Sequence, residues 1–252
     1  MNGMRLRSAR PPQRPGQPSG LSSSWPAARP LLAASARPWA IALLAGCAIL
    51  VAVLGALFAR QTTADPLDRA VDAPVIAWFA ARQDLAGWLA YPGTLIPAVV
   101  LSVAIAVGCL LAGRRNGSVL AIAAVPAATG LCEALLKPLV HRTYLGQLTY
   151  PSGHTATVFA LAATIVVLLL ASPASAPPAA TAPAATAPRR VPRMLTSAAA
   201  CVVGLVVGIA VIGLRYHNFS DAVAGAAVGI GTVCGLALLL DLPAVRRWLR
   251  VA

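Results

Sequence analysis

The sequence predicts an all-α, polytopic membrane protein with six transmembrane helices, and three observations carry that prediction. Of its 252 residues, 58% are hydrophobic and only 11% are charged, whereas a soluble domain is about one-quarter charged. Mean hydropathy is +0.77. Apolar runs recur near 39–59, 93–113, 119–136, 155–171, 198–214 and 222–240, each close to the roughly 17–25 residues that a helix needs to cross a bilayer.

Residues 1–38 are rich in Pro, Ser, Gly and Arg and hold no acid. So little apolar content reads as a disordered tail. A secretory signal peptide with its core from Trp39 is the competing reading. It is set aside because the preceding tail is too long and the run itself is long enough to span. Residues 60–92 place Trp78, Phe79, Trp88 and Tyr91 beside Asp65, Asp68, Asp72 and Asp84. That mixture suits either a helix lying at the membrane interface or an ordinary loop. Pro97 and Pro126 fall within spans and can kink them, which membrane helices tolerate. Residues 172–197, rich in Ala, Pro and Thr and closing on Arg189-Arg190-Val191-Pro192-Arg193, read as a flexible linker. The membrane domain is therefore 39–241, followed by a basic C-terminus over 242–252. Cys47, Cys109, Cys132, Cys201 and Cys234 all fall inside apolar segments without CxxC spacing, so neither a disulfide framework nor a thiolate metal site is supported.

Charge sets the orientation. Six Arg lie in the tail, two in the 114–118 loop, three in the 172–197 linker and three at the C-terminus, at 246, 247 and 250. An even number of spans puts all of these on one side, which the positive-inside rule makes the cytoplasm. Both termini are then cytoplasmic, and the connections 60–92, 137–154 and 215–221 face outward from a plasma membrane. Net charge is +13, which in a soluble chain would suggest nucleic acid. Here topology accounts for it, and no aromatic-rich basic surface accompanies it, so no nucleic-acid partner is expected.

The outward connections carry the chemistry. Tyr150-Pro151-Ser152-Gly153-His154-Thr155 joins a Gly-containing turn and a histidine to a starting helix, where exposed N–H groups can hold a phosphate. Lys137 and Arg142 lie upstream, and Arg215-Tyr216-His217-Asn218-Phe219-Ser220-Asp221 downstream. Cations and histidines at span ends are costly to place without a reason. Glu133, four residues before Lys137, is expected to pair with it.

These residues resemble the type-2 phosphatidic acid phosphatase family, a branch of the superfamily that includes the vanadium haloperoxidases. The family pattern is Lys…Arg-Pro, then Pro-Ser-Gly-His, then Ser-Arg…His…Asp, on a six-helix membrane core. The resemblance spans roughly residues 40–240 and matches the second motif letter for letter at Pro151–His154. His217 and Asp221 keep the spacing of the third. Two departures stand out. Four residues separate Lys137 from Arg142 where the family has six, and Thr143 replaces its Pro. Ala210 and Val211 occupy the family's Ser and Arg positions, and Arg215 follows one helical turn later. On a continuous helix Arg215 would share a face with Val211 and could reach the same phosphate.

The resemblance implies metal-independent phosphoester hydrolysis through a phosphohistidine, with no cofactor and no metal. In that scheme Lys137, Arg142 and Arg215 balance phosphoryl charge, joined by the backbone N–H groups of Ser152 and Gly153. His217 attacks phosphorus, Asp221 holds its other ring nitrogen, and His154 protonates the leaving oxygen and then activates water. The implied substrates are phosphatidic acid, phosphatidylglycerol phosphate or a polyprenyl phosphate. A transport or non-catalytic lipid-phosphate binder on the same frame is the alternative. Against transport, the ionisable groups sit at one face and not at the midplane. Homo-oligomerisation stays open.

Overall fold

The computed structural model describes residues 30–171 and 190–251. Six helices among them are long and apolar enough to cross a membrane: Ala34–Phe58, Gln83–Leu111, Arg115–Val140, Gly153–Leu170, Val191–Gly213 and Phe219–Leu240. The predicted all-α membrane fold is therefore the observed one. In chain order the elements are α1 (Arg37–Phe58), α2 (Pro66–Phe79), α3 (Gln83–Ala90), α4 (Leu95–Leu111), α5 (Arg115–Gly130), α6 (Lys137–Val140), β1 (Thr143–Tyr144), β2 (Gln147–Leu148), α7 (Gly153–Leu170), α8 (Arg190–Gly213), α9 (Phe219–Leu240) and α10 (Pro243–Val251).

Helices α7 and α9 form the centre. Helix α1 packs on α9, α8 on α7, α5 on both, and α4 on α5. The two central backbones meet where α9 has glycine. A Cβ at Gly225 would lie 2.3 Å from the Ser152 carbonyl oxygen, and one at Gly229 would lie 2.4 Å from that of Ala156. Small residues four apart on one face are the means by which membrane helices approach this closely. The approach fixes the start of α7 against the start of α9, which is where both motif histidines lie.

Residues 60–92 are helical throughout most of their length. Pro66 occupies the first turn of α2, and the Asp65 side chain caps it by accepting from the Leu67 N–H at 2.9 Å, a combination that fixes a helix start. Helix α3 runs through a short 3-10 turn (Tyr91–Gly93) into α4, so the second span starts ten residues before its apolar run. Between α5 and α6 the chain makes a π-helical segment, Leu131–Leu136, in which the Lys137 N–H bonds back to Cys132 O. Such segments rotate the side chains that follow and are frequent at functional sites. Here the side chain delivered is Lys137.

A two-residue turn joins β1 to β2, with φ of 50° at Leu145 and 79° at Gly146. Positive φ at both positions favours Asn-Gly, and a leucine there is strained by about 1–2 kcal/mol. Leu145 is 72% exposed, so Leu145→Asn should raise the thermal unfolding midpoint in detergent by a few degrees.

Two sequence boundaries move. The tail ends earlier than residue 38, because Asp241 accepts from the Leu31 and Leu32 N–H groups at 2.7 and 2.9 Å and both leucines enter the core. Residues 190–197 are the first turns of α8 and not linker. Pro192 is compatible with that, since first-turn N–H groups have no helical acceptor. The rest of the expected tail (1–29) and linker (172–189) lies outside the described residues.

Candidate active site

The site grows from a buried ionic network under the start of α9. Asp68, on α2, accepts from the Ser220 N–H at 2.9 Å and the Ser220 hydroxyl at 2.8 Å. Asp72, one turn on, accepts from the Phe219 N–H at 3.0 Å. Asp221 accepts from the Asn218 N–H at 3.0 Å. Three carboxylates thus satisfy three N–H groups that a helix start leaves unpaired, and the helix dipole favours their charge. Arg142 closes the network: one guanidinium nitrogen donates to Asp68 at 2.5 Å, the other to Asp221 at 2.8 Å and Ser220 at 2.7 Å. Its guanidinium also stacks over Phe58, 4.4 Å from the ring centre. Burial works against its charge, but Asp221 and Asp68 outweigh that and raise its pKa above the ordinary arginine value.

Two expectations change in this network. Arg142 is wholly buried and committed to carboxylates, so it does not face the histidines as a phosphate contact. Asp221 serves Arg142 and the α9 start, and the ring nitrogen expected to be held by it is held elsewhere. His217 Nδ1 lies 3.0 Å from Thr149 O. A carbonyl only accepts, so Nδ1 carries the proton and Nε2 keeps its lone pair. The β-hairpin supplies that carbonyl, with the Thr149 N–H tied to Arg142 O at 3.1 Å. Burial first, then the nearby Lys137 and His154, push the His217 pKa down to about 3. His217 is therefore neutral at any physiological pH.

His154 lies across from it, with ring centroids 6.3 Å apart, and Tyr216 flanks His154 at 6.2 Å. His154 is the second residue of α7, which Ser152 caps by accepting from the Thr155 N–H at 3.3 Å. Ser152 itself is fully buried, and its N–H donates to Asp221 O at 3.0 Å. It therefore cannot offer the expected N–H to a phosphate, and Gly153 and His154 are left to do so. Lys137 reaches this end of α7 and pairs with Glu133 at 2.8 Å, as its spacing implies. Glu133 also abuts Gly153, whose added Cβ would meet the carboxylate at 2.7 Å. A carboxylate thus occupies the place between Lys137 and the α7 start that an anionic ligand would take. Glu133 is half-exposed, so neutralising it is a modest change: Glu133→Gln should tighten competitive inhibition by inorganic phosphate about two- to fivefold, read from initial rates.

Arg215 is not on a continuous helix with Val211. Helix α8 stops at Gly213, Phe79 packs against that glycine, and Arg215 has φ of 59°. Val211 points into the core, whereas Arg215 is exposed and its side chain makes no hydrogen bond or ion pair among the described residues. It stands one residue from Tyr216 at the rim of the histidine pair. Sequence reasoning missed Asp68, Asp72, Ser220 and the Thr149 carbonyl. Asp68 and Asp72 had a signal: they are four apart in a segment opened by Asp65-Pro66, so they share one helix face. A backbone carbonyl has none.

The buried acids give a pH signature. Burial, then repulsion from Asp68, raises the Asp72 pKa from 3.8 to about 7. The folded state then binds a proton that the unfolded state has released, so this group's contribution to stability falls as pH rises from about 4 to about 7. Asn keeps an oxygen for the Phe219 N–H and removes the titration. Asp72→Asn should therefore gain in unfolding midpoint over the parent as pH rises from 4 to 8. A gap that is constant with pH would contradict the shift.

Residues 118–242 match the model of the PAP2 superfamily. A search of curated proteins gave no match. Among solved structures, the crystal structure described as the first of a transmembrane PAP2-type phosphatidylglycerolphosphate phosphatase, from Bacillus subtilis, is similar. It is 15% identical, with a TM-score of 0.56 over 80% of this chain and 95% of that one. At that identity the likeness speaks for the fold. The motif-bearing residues lie inside the matched region and six apolar helices surround them, so the chain is a multi-pass membrane protein whose residues 118–242 match the PAP2 superfamily.

Proposed function

We propose that this protein is a lipid phosphatase that cleaves a lipid phosphomonoester or pyrophosphate through a phosphohistidine at His217, at the extracytoplasmic membrane interface. One observation carries the reading: a buried, neutral His217 with its Nδ1 proton fixed on Thr149 O, facing His154 across 6.3 Å. Nucleophile and acid must flank one phosphorus atom, and this spacing leaves room for a phosphoryl group between them.

Nε2 of His217 attacks phosphorus, the bond from phosphorus to the lipid oxygen breaks, and protonated His154 delivers its proton to that oxygen. His154, now neutral, takes a proton from water as the water oxygen attacks. The N–P bond breaks and inorganic phosphate leaves. Lys137, the free N–H groups at the α7 start and Arg215 at the rim balance the phosphoryl charge, so the route calls on no metal or cofactor. Arg142, Asp221, Asp68 and Ser220 act as the frame that holds His217. Arg-rich segments at 1–38, 114–118 and 242–252 support placing the opposite end in the cytoplasm of a plasma-membrane protein.

Phosphate release by the detergent-purified protein from phosphatidic acid, phosphatidylglycerol phosphate and polyprenyl pyrophosphate, with EDTA present, tests this reading. Release that survives EDTA supports it and ranks the lipids. Retention of these lipids without any release would favour a binding or transport role on the same frame.

A further inference from the structure

The end of the bundle opposite the histidines carries cations without acids to match them. Of the chain's seven acidic residues, all among the described residues, Asp241 alone lies there. It is buried, and its carboxylate is taken up by the Leu31 and Leu32 N–H groups. Arg37 reaches it only at 3.9 Å and stays 44% exposed. Arg114 donates to Leu168 O at 3.0 Å, and a carbonyl leaves its charge unbalanced. Arg247 is exposed.

Helix α10 turns off α9 at this end, packs on α5 as well as α9, and has three sides. Val245 and Leu249, four apart, pack against the core cluster that contains Leu31, Leu32 and Leu240. Ala244 and Trp248, also four apart, form an exposed apolar edge next to that side, with Trp248 67% exposed. Arg247 stands about 200° round the helix from Val245, so its side chain points away from the bundle. The start of α1 repeats the pairing: Arg37 precedes Trp39 by two residues, and Trp39 is 76% exposed. Exposed tryptophan beside arginine suits the membrane interface, where the ring sits among headgroups and the guanidinium meets phosphate.

We propose that α10 and the start of α1 form a docking surface for anionic phospholipids of the leaflet at this end. Trp248 and Trp39 seat at the interface, and Arg247 and Arg37 hold the headgroups. Loop arginines alone would only set orientation. An apolar edge and a cation turned outward together, at the end of six spans, fit a lipid surface. A soluble acidic partner would have to reach both tryptophans past the headgroups. The surface is independent of the phosphatase reading, and its test uses no turnover.

The full-length protein would be placed in nanodiscs of dioleoyl phosphatidylcholine, alone or mixed equally with dioleoyl phosphatidylserine, and amide hydrogen exchange measured. Exchange of the α10 amides should slow about fivefold in the mixed discs, and high salt should remove most of that difference. Arg247→Gln should exchange alike in both discs, with α7 unchanged as the sign of an intact fold. Trp248→Ser should speed α10 exchange in both. By native mass spectrometry the parent should retain phosphatidylserine over phosphatidylcholine about fivefold, and the Arg37→Gln, Arg247→Gln double variant should lose that preference. The same α10 exchange in both discs for the parent, or a difference that survives Arg247→Gln, overturns the proposal. Free exchange of α10 in both discs overturns it too, and would leave this face to a soluble acidic partner.

Discussion

His217→Ala is expected to lower phosphate release by at least about 10³-fold, because it removes the group that forms the covalent intermediate and water alone cannot substitute for it. The fold should survive. Among the described residues the histidine side chain makes one hydrogen bond, to Thr149 O, and it sits at the end of a loop. His217→Asn is the sharper variant, since its amide can still donate to that carbonyl while offering no lone pair to phosphorus. Both should be inactive, with unfolding midpoints close to the parent. His154→Ala should behave differently. It should be strongly impaired on lipid alkoxide leaving groups, yet much less so in the first step with p-nitrophenyl phosphate, whose leaving group needs no proton. Equal losses on both substrates would remove His154 from the acid role.

Arg142→Ala is expected to destabilise the protein by about 3–5 kcal/mol, the cost of leaving buried charges without a partner. Asp68, Asp72 and Asp221 would share a buried pocket with no cation, and the Ser220 hydroxyl would lose a donor. Arg142→Lys should rescue little, since an ammonium cannot span Asp68 and Asp221 from two fixed nitrogens. The deficit should shrink as pH falls and the acids protonate, and Asp68→Asn in the same chain should restore part of it. An Arg142→Ala protein with parental stability and a raised KM would instead make Arg142 a phosphate ligand. That outcome would restore the role the motif resemblance assigns it.

The fold was legible because its signals are collective. Each span rests on some twenty side chains, so the six runs and the six helices agree although α8 begins eight residues before its apolar run. The histidines were legible for a different reason: His154 follows a Pro-Ser-Gly turn that opens a helix, and His217 leads Asp221 by one turn. The cations were not. Arg142 and Arg215 have the right chemistry at the right membrane face, but a left-handed turn at Arg215 and two carboxylates around Arg142 decide where their charge goes. The partner acid comes from α2, 74 residues away along the chain, and no local spacing encodes that contact. Asp241 shows the same limit. It stood apart from the outward-facing acids in sequence, and its role is to anchor Leu31 and Leu32 at the opposite end of the bundle.

The central claim is a covalent phosphoryl group on His217, and trapping it is the direct measurement. The purified protein, mixed briefly with its preferred lipid phosphate and denatured in alkali to preserve the acid-labile N–P bond, would be digested and sequenced by mass spectrometry. The account predicts a phosphoryl group on His217, absent from His217→Asn and, with p-nitrophenyl phosphate as donor, accumulating in His154→Ala, where hydrolysis of the intermediate lacks its base. Rapid turnover with no phosphorylated His217 at any mixing time, or the label found on His154, would contradict it.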